Sequence, residues 1–351
     1  ANTDLDDDPA TTPGPDTDGD TTPNYLDADD DGDGTLTSAE NADPNADGDP
    51  RDAMDSDRDG QPNYLDVPTL ASVVPIADEQ KISATTGGLS ATLDDSDNFG
   101  SDVTAIGDVD GDGVVDMAVG AFVDDDGGSA RGAAYVLFMN PDGTVRAEQK
   151  ISDTAGGLIA PLADNDFFGF SVAGLGDLDG DGVPDLAVGA YGADDSGSAS
   201  GAVYVLLLNP DGTVKREQKI SSTVGGLSST PQALDFFGLS VAGLGDVDGD
   251  GVVDLAVGAS GDDDGGSSRG AVYVLFLNAD GTVKAEQKIS TSSGGLGPVL
   301  DDSDNFGSSV AGVGDLDGDG VVDIAVGARL DDDGGSNRGA VHLLFLNADG
   351  T

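Results

Sequence analysis

The sequence predicts an all-β fold: a β-propeller-like array of four four-stranded antiparallel blades, preceded by an irregular segment of calcium-type loops. Three observations predict it. A unit of 69 residues recurs four times between Glu79 and Thr351. Within each unit the apolar runs are too short for a helix, and they are separated by Asp- and Gly-rich turns. The composition also favours turns and strands over helices, with 55 Gly, 15 Pro and only five Glu among 68 acids.

The repeat is anchored by the string D-x-D-G-D-G-V, which begins at Asp108, Asp177, Asp246 and Asp315. The same step relates Phe99-Gly100, Phe168-Gly169, Phe237-Gly238 and Phe306-Gly307, and the E-Q-K-I-S segments at Glu79, Glu148, Glu217 and Glu286. In the third unit, F-G-L-S-V-A-G-L-G from Phe237 to Gly245 reads as a first strand. An acidic turn and D-L-A-V-G-A follow as a second strand. The run A-V-Y-V-L-F-L from Ala271 to Leu277 has strand length and no polar alternation, so it should be buried on both faces. After the turn N-A-D-G, the alternation in T-V-K-A-E-Q-K-I-S predicts a half-exposed outer strand. A four-stranded meander that recurs in this way buries its two faces against its neighbours around an axis, as propeller blades do.

The fourth unit stops at Thr351, before its outer strand. The segment Val73 to Ser83, V-V-P-I-A-D-E-Q-K-I-S, aligns with the outer strand of the complete units. An open sheet edge invites pairing, so this segment is expected against Ala340 to Asn347, either in its own chain or in a neighbouring one. Residues 1–72 form a separate Asp-rich stalk and residues 73–351 the four-blade domain.

The formal charge of −54 excludes nucleic acid as a partner, since phosphate contacts need a basic face. With no Cys and one His, His342, the chain offers no disulfide framework, no thiolate chemistry and little for acid-base catalysis. His342 stands where the other units have Tyr135, Tyr204 and Tyr273, as a packed strand residue would. No apolar run approaches the roughly 18 residues of a transmembrane segment. A charge this negative needs cations to neutralise it, which points to calcium-rich surroundings and an extracellular protein, secreted or at the cell surface.

Calcium takes six to eight oxygen ligands, and carboxylates at loop positions 1, 3 and 5 with Gly at 6 supply the turn it requires. The first loop offers Asp108, Asp110, Asp112 and Asp116, with a backbone carbonyl at Val114. The second offers Asp177, Asp179, Asp181 and Asp185 with Val183, and the third Asp246, Asp248, Asp250 and Asp254 with Val252. The fourth offers Asp315, Asp317, Asp319 and Asp323 with Val321. Four carboxylates crowded into one turn repel one another without a cation, so calcium (Ca2+) is expected to be a folding ligand as well.

These residues resemble the FG-GAP repeats of integrin α-subunit propellers and of bacterial surface proteins built from the same unit. The resemblance spans Glu79 to Thr351 and includes Gly-Ala at Gly120-Ala121, Gly189-Ala190, Gly258-Ala259 and Gly327-Ala328. It implies calcium in the hairpin between the first two strands of each blade, and a role in adhesion or surface architecture. Integrin-like propellers have seven blades where this chain has four repeats.

The stalk carries a second kind of loop. Asp29, Asp31, Asp33, Gly34, Thr35, Thr37 and Glu40 stand at positions 1, 3, 5, 6, 7, 9 and 12 of an EF-hand-like loop. Asp55, Asp57, Asp59, Gly60 and Asp66 repeat the frame, Asp16, Asp18, Asp20 and Asp27 do so without the Gly, and Asp43, Asn45, Asp47 and Gly48 form a weaker version. These resemble thrombospondin type 3 and related bacterial calcium stalks, which implies three or four further calcium sites.

The leading reading is a non-enzymatic, extracellular calcium-binding protein of adhesion or extracellular architecture, whose partner is a protein or glycan on a surface. A second reading makes the chain bind copies of itself, as the subunit of a filament or matrix joined by strand exchange through its N-terminal strand. A third, a carbohydrate-binding or carbohydrate-active propeller, expects an aromatic cleft. With no Trp and six Tyr, the composition speaks against it.

Overall fold

The strand-length runs and their Asp-Gly turns fold as four antiparallel sheets, one per repeat. In a computed structural model of the chain, residues 79–296 and 300–351 are described, and apart from Glu79 they belong to one unit, Gln80–Thr351. The first sheet comprises β1 (Val103–Gly107), β2 (Asp116–Ala121), β3 (Ala133–Met139) and β4 (Val145–Ser152). The second comprises β5 (Ser171–Gly176), β6 (Asp185–Ala190), β7 (Ala202–Leu208) and β8 (Val214–Ser221). The third comprises β9 (Ser240–Gly245), β10 (Asp254–Ala259), β11 (Ala271–Leu277) and β12 (Val283–Ile289). The fourth has β13 (Phe306–Gly314), β14 (Asp323–Ala328) and β15 (Ala340–Leu344). Strand order follows chain order in every sheet, and no helix forms among the described residues.

The third strand of each complete blade explains the packing. All seven residues of β7 are buried, because alternate side chains serve two different cores. Tyr204, Leu206 and Leu208 meet Ala134, Val136 and Phe138 of the first blade, whereas Val203, Val205 and Leu207 meet Tyr273, Leu275 and Leu277 of the third. Each such Val or Leu contributes roughly 1.5–3 kcal/mol through burial, so the blades are held by their faces rather than by one central core. The outer strands β4 and β8 alternate between buried ends and a solvated middle, as their sequence predicts.

The Phe-Gly pair fastens one blade to the next. Phe168 is fully buried and stands edge-on to Tyr204 with ring centroids 5.3 Å apart. It also forms a parallel bridge to Gly132 of the preceding blade, where a Cβ would collide with the Phe168 carbonyl. The same bridge recurs at Gly201–Phe237 and Gly270–Phe306. Inner strands β1, β5, β9 and β13 pack in succession, and they line a shared cavity of about 570 Å³. This is a propeller arrangement.

The fourth blade departs from the four-stranded expectation at its outer edge, since β15 pairs only with β14 among the described residues. Residues 79–83, which were expected to pair with Ala340–Asn347, form no strand: Ser83 bridges Thr86, and Gln80 lies beside Gly143 in the turn between β3 and β4. Residues 73–78 of that segment lie outside the described residues. The physical reason is the arc itself. Successive inner strands pack on one another, but β13 and β1 do not pack together in that way, so the last edge does not meet residues 79–83 of its own chain.

Candidate metal centre

Each acidic loop joins the first two strands of its blade, and its first Asp organises the turn. Asp177 accepts the backbone amides of Asp181 at 2.9 Å and Gly182 at 2.8 Å. Asp108 accepts those of Gly111, Asp112 and Gly113. The loop glycines at 180 and 182 have positive φ, +76° and +91°, a conformation that costs a non-Gly residue about 1–2 kcal/mol. The amides at Val114, Val183, Val252 and Val321 donate in turn to Asp112, Asp181, Asp250 and Asp319.

Three carboxylates converge in every loop. Single oxygens of Asp108, Asp110 and Asp116 lie within 4.8 Å of one another, as do those of Asp177, Asp179 and Asp185, of Asp246, Asp248 and Asp250, and of Asp315, Asp317 and Asp323. The four-acid pattern read from the sequence is thus gathered three at a time, with Asp112, Asp181, Asp254 and Asp319 outside these groups.

The last Asp of each loop has a structural task that its spacing does not announce. Asp185 is buried and accepts the amides of Leu178 and Leu208, both at 2.9 Å. It thereby ties the loop to the end of β7. Asp116, Asp254 and Asp323 do the same with Val109 and Met139, Val247 and Leu277, and Leu316 and Leu346. Burial pushes the Asp185 carboxyl up to about 6 against the pull of those amides, and the nearby Asp179 adds to the shift. Asp254 is raised to about 6 and Asp116 is raised for the same leading reason.

Basic residues at the loops escaped sequence reasoning. The Lys215 ammonium lies 2.6 Å from both Asp179 and Asp181, Lys284 pairs with Asp248 and Asp250, and Arg146 pairs with Asp110 and Asp112. Lys215 holds Asp181 below the usual carboxylate range, and Lys284 does so for Asp250. The signal was the base that opens each outer strand in T-V-R or T-V-K. Even so, Asp110 Oδ1 and Asp179 Oδ1 are buried with no hydrogen-bond partner. Buried oxygens are rarely left so, and a hard cation held by oxygen ligands would satisfy them, so these residues fit calcium.

The sites assigned to the stalk (Asp16 to Asp27, Asp29 to Glu40, Asp43 to Asp47 and Asp55 to Asp66) lie outside the described residues. His342 occupies the register of a packed strand residue, opposite Val326 and edge-on to Phe306 at 5.3 Å.

A second surface feature lies at the opposite end of the strands. Phe122 and Tyr191 follow β2 and β6, while Phe167, Phe170 and Phe236 precede β5 and β9. Phe167 stacks on Tyr191 at 5.1 Å, Phe170 meets Tyr191 edge-on at 4.6 Å, and Phe122 and Phe236 close the cluster, all half-buried. Phe167 and Phe236 have φ of +57° and +58°, where the first and fourth repeats carry Asn98 and Asn305. Asn tolerates that conformation better than Phe. Phe where its repeat equivalents are Asn was the available signal.

The model of the FG-GAP repeat family matches residues 168–206, 237–275 and 306–344. Among curated proteins, integrin alpha-3 of Cricetulus griseus is 32% identical over 218 residues, 62% of this chain and 18% of that protein. Integrin alpha-PS2 of Drosophila melanogaster is 32% identical over 248 residues, 69% of this chain and 16% of that protein. Integrin alpha-4 of Xenopus laevis is 35% identical over 167 residues, 47% of this chain and 15% of that protein. The chain therefore carries FG-GAP repeats in an integrin alpha-like propeller, and spans less than a fifth of the length of these relatives.

Proposed function

We propose that this chain is a non-enzymatic, calcium-binding part of an extracellular surface protein, and that it serves adhesion. The observation that carries the cation is the pair of buried, partnerless oxygens, Asp110 Oδ1 and Asp179 Oδ1, each beside two further carboxylates. Asp108, Asp110 and Asp116 would hold calcium in the first blade, and the corresponding triads in the other three. Bound calcium neutralises clustered charge, and Arg146, Lys215 and Lys284 swing away to solvent as it enters. The stalk loops add three or four sites of the same chemistry. Adhesion is supported by similarity to integrin alpha chains.

The aromatic cluster around Tyr191 is the surface we assign to the ligand, a protein or a glycan. Stacked rings at a half-exposed site favour a glycan as a second reading, since sugar faces pack on aromatic ones, and this restores weight to the carbohydrate-binding alternative that composition disfavoured. Calcium titration by calorimetry tests the first proposal: saturable heat at four or more sites is expected, and a folded chain that takes up no calcium would overturn it. Glycan-array binding with and without Tyr191→Ala tests the ligand surface. A glycan bound equally by both forms would exclude the cluster.

A further inference from the structure

A buried carboxylate follows the second strand of three blades, at the end away from the acidic loops, and the second blade replaces it. The repeats read F-V-D-D-D from Phe122, S-G-D-D-D from Ser260 and R-L-D-D-D from Arg329, but Y-G-A-D-D from Tyr191. In the first blade Asp124 is buried and gathers three donors: the Asp126 amide at 3.1 Å, the Tyr135 hydroxyl at 3.5 Å and the Lys150 ammonium at 2.6 Å. In the third blade Asp262 gathers the same three, from Asp264 at 3.0 Å, Tyr273 at 3.3 Å and Lys288 at 2.6 Å. The amide comes from the loop itself, the hydroxyl from the third strand and the ammonium from the outer strand.

The second blade keeps all three donors while Ala193 stands where the acceptor would. Its backbone follows the same course. The Ala193 amide donates to the Ala190 carbonyl at 3.2 Å and its carbonyl accepts the Gly201 amide at 2.9 Å, as Asp262 does with Ala259 and Gly270 at 3.2 and 3.0 Å. Ala193 is itself buried and offers only a methyl group. Tyr204 is fully buried, and its hydroxyl has no hydrogen-bond partner among the described residues. Lys219 lies 5.6 Å over the Tyr204 ring, as Lys288 lies 5.4 Å over that of Tyr273. Yet Lys219 pairs with Asp195 alone among the described residues, where Lys288 holds two carboxylates. Buried donors are rarely left without an acceptor, and burial holds the Tyr204 phenol well above its usual range, so it remains a donor.

We propose that the second blade binds a small monovalent anion, chloride in its simplest form, between the Tyr204 hydroxyl, the Lys219 ammonium and the Asp195 amide. The anion stands in for the carboxylate that Asp124 and Asp262 supply in their own blades. A water fits this place less well, because it has two lone pairs for three donors and two hydrogens of its own to place. Charge does not oppose the anion more than it opposes those carboxylates. Asp166 faces Lys219 and Asp195 here, just as Asp97 faces Asp124 and Lys150, and Asp235 faces Asp262 and Lys288. A bound anion therefore restores the balance that the first and third blades already carry. The inference depends on neither bound calcium nor the adhesion reading.

Melting the full chain in sodium chloride and in sodium gluconate, at equal ionic strength and matched free calcium, tests the site. The unmodified chain should melt higher in chloride. Ala193→Asp, which supplies the acceptor from the chain itself, should lose that difference. Tyr204→Phe should weaken chloride binding about tenfold or more, as loss of a buried donor to a charged acceptor does, read from the broadening of the chloride NMR line. Crystals of the unmodified chain grown in bromide give a direct reading: an anomalous peak is expected against the Tyr204 hydroxyl and should vanish in Ala193→Asp. Equal melting of the unmodified chain in the two salts overturns the proposal, as does a chloride response that Ala193→Asp retains. Density beside Tyr204 without a bromide signal would make the occupant a water and overturn it equally.

Discussion

The Asp185 carboxylate accepts the amide of Leu208 at 2.9 Å across 23 residues of chain, and so joins the acidic loop of the second blade to the far end of its third strand. Its other oxygen accepts Leu178. Asp185→Ala therefore leaves two buried amides without an acceptor, at about 1–3 kcal/mol each. We expect it to destabilise the chain by about 2–4 kcal/mol even in chelator, as measured by urea unfolding. Asp179→Ala, which removes one carboxylate of the gathered triad without touching those amides, is expected to weaken one of the calcium sites in a calorimetric titration.

Calcium should govern the stability of the blades. A ligand that binds only the folded state at a thousandfold excess over its dissociation constant stabilises it by about 4 kcal/mol per site. The melting midpoint should rise markedly on replacing EGTA with millimolar calcium, and an unchanged midpoint would refute a folding role for the cation.

The pH dependence without calcium has a definite sign. Asp185, Asp235 and Asp254 have carboxyls raised to about 6, chiefly by burial. A raised folded-state value means that the protonated carboxyl contributes stability fully below the unfolded value near 3.8, and that this contribution is lost as pH rises through about 6. In chelator the chain should therefore melt at a higher temperature at pH 5 than at pH 7. Calcium should narrow or reverse that difference at pH 7, because it favours the ionised ligands. Differential scanning calorimetry at the two pH values, in both media, distinguishes these cases.

Glycines in the second strands report where a neighbouring blade presses. A Cβ on Gly258 would collide with the Gly307 carbonyl of the fourth blade, whereas on Gly327 it would meet chiefly the Ser309 hydroxyl of its own sheet. Gly258→Ala should cost well over 1 kcal/mol in urea unfolding, as overpacking between rigid backbones does. Gly327→Ala should cost much less, because a serine side chain can turn aside.

What the sequence determined is everything that repeats at short range. The step from Asp108 to Asp177 to Asp246 to Asp315 fixed the number of blades, and the unbroken apolar run Ala202–Leu208 marked a strand between two cores. The Asp-Gly spacing placed four acids in each turn. These are legible because turn geometry and strand alternation depend on residues close in the chain. Tertiary structure decided what depends on residues far apart. It divided the labour among the acids, turning Asp185 and its equivalents into pins for a third strand that begins 17 residues later. It brought Lys215 to Asp179 and gathered Phe122, Phe167, Phe170, Tyr191 and Phe236 onto one surface. It also kept Ile82 from Val341. Identical local patterns form identical blades, but whether the last blade meets the first depends on the angle summed over all of them, which no single repeat encodes.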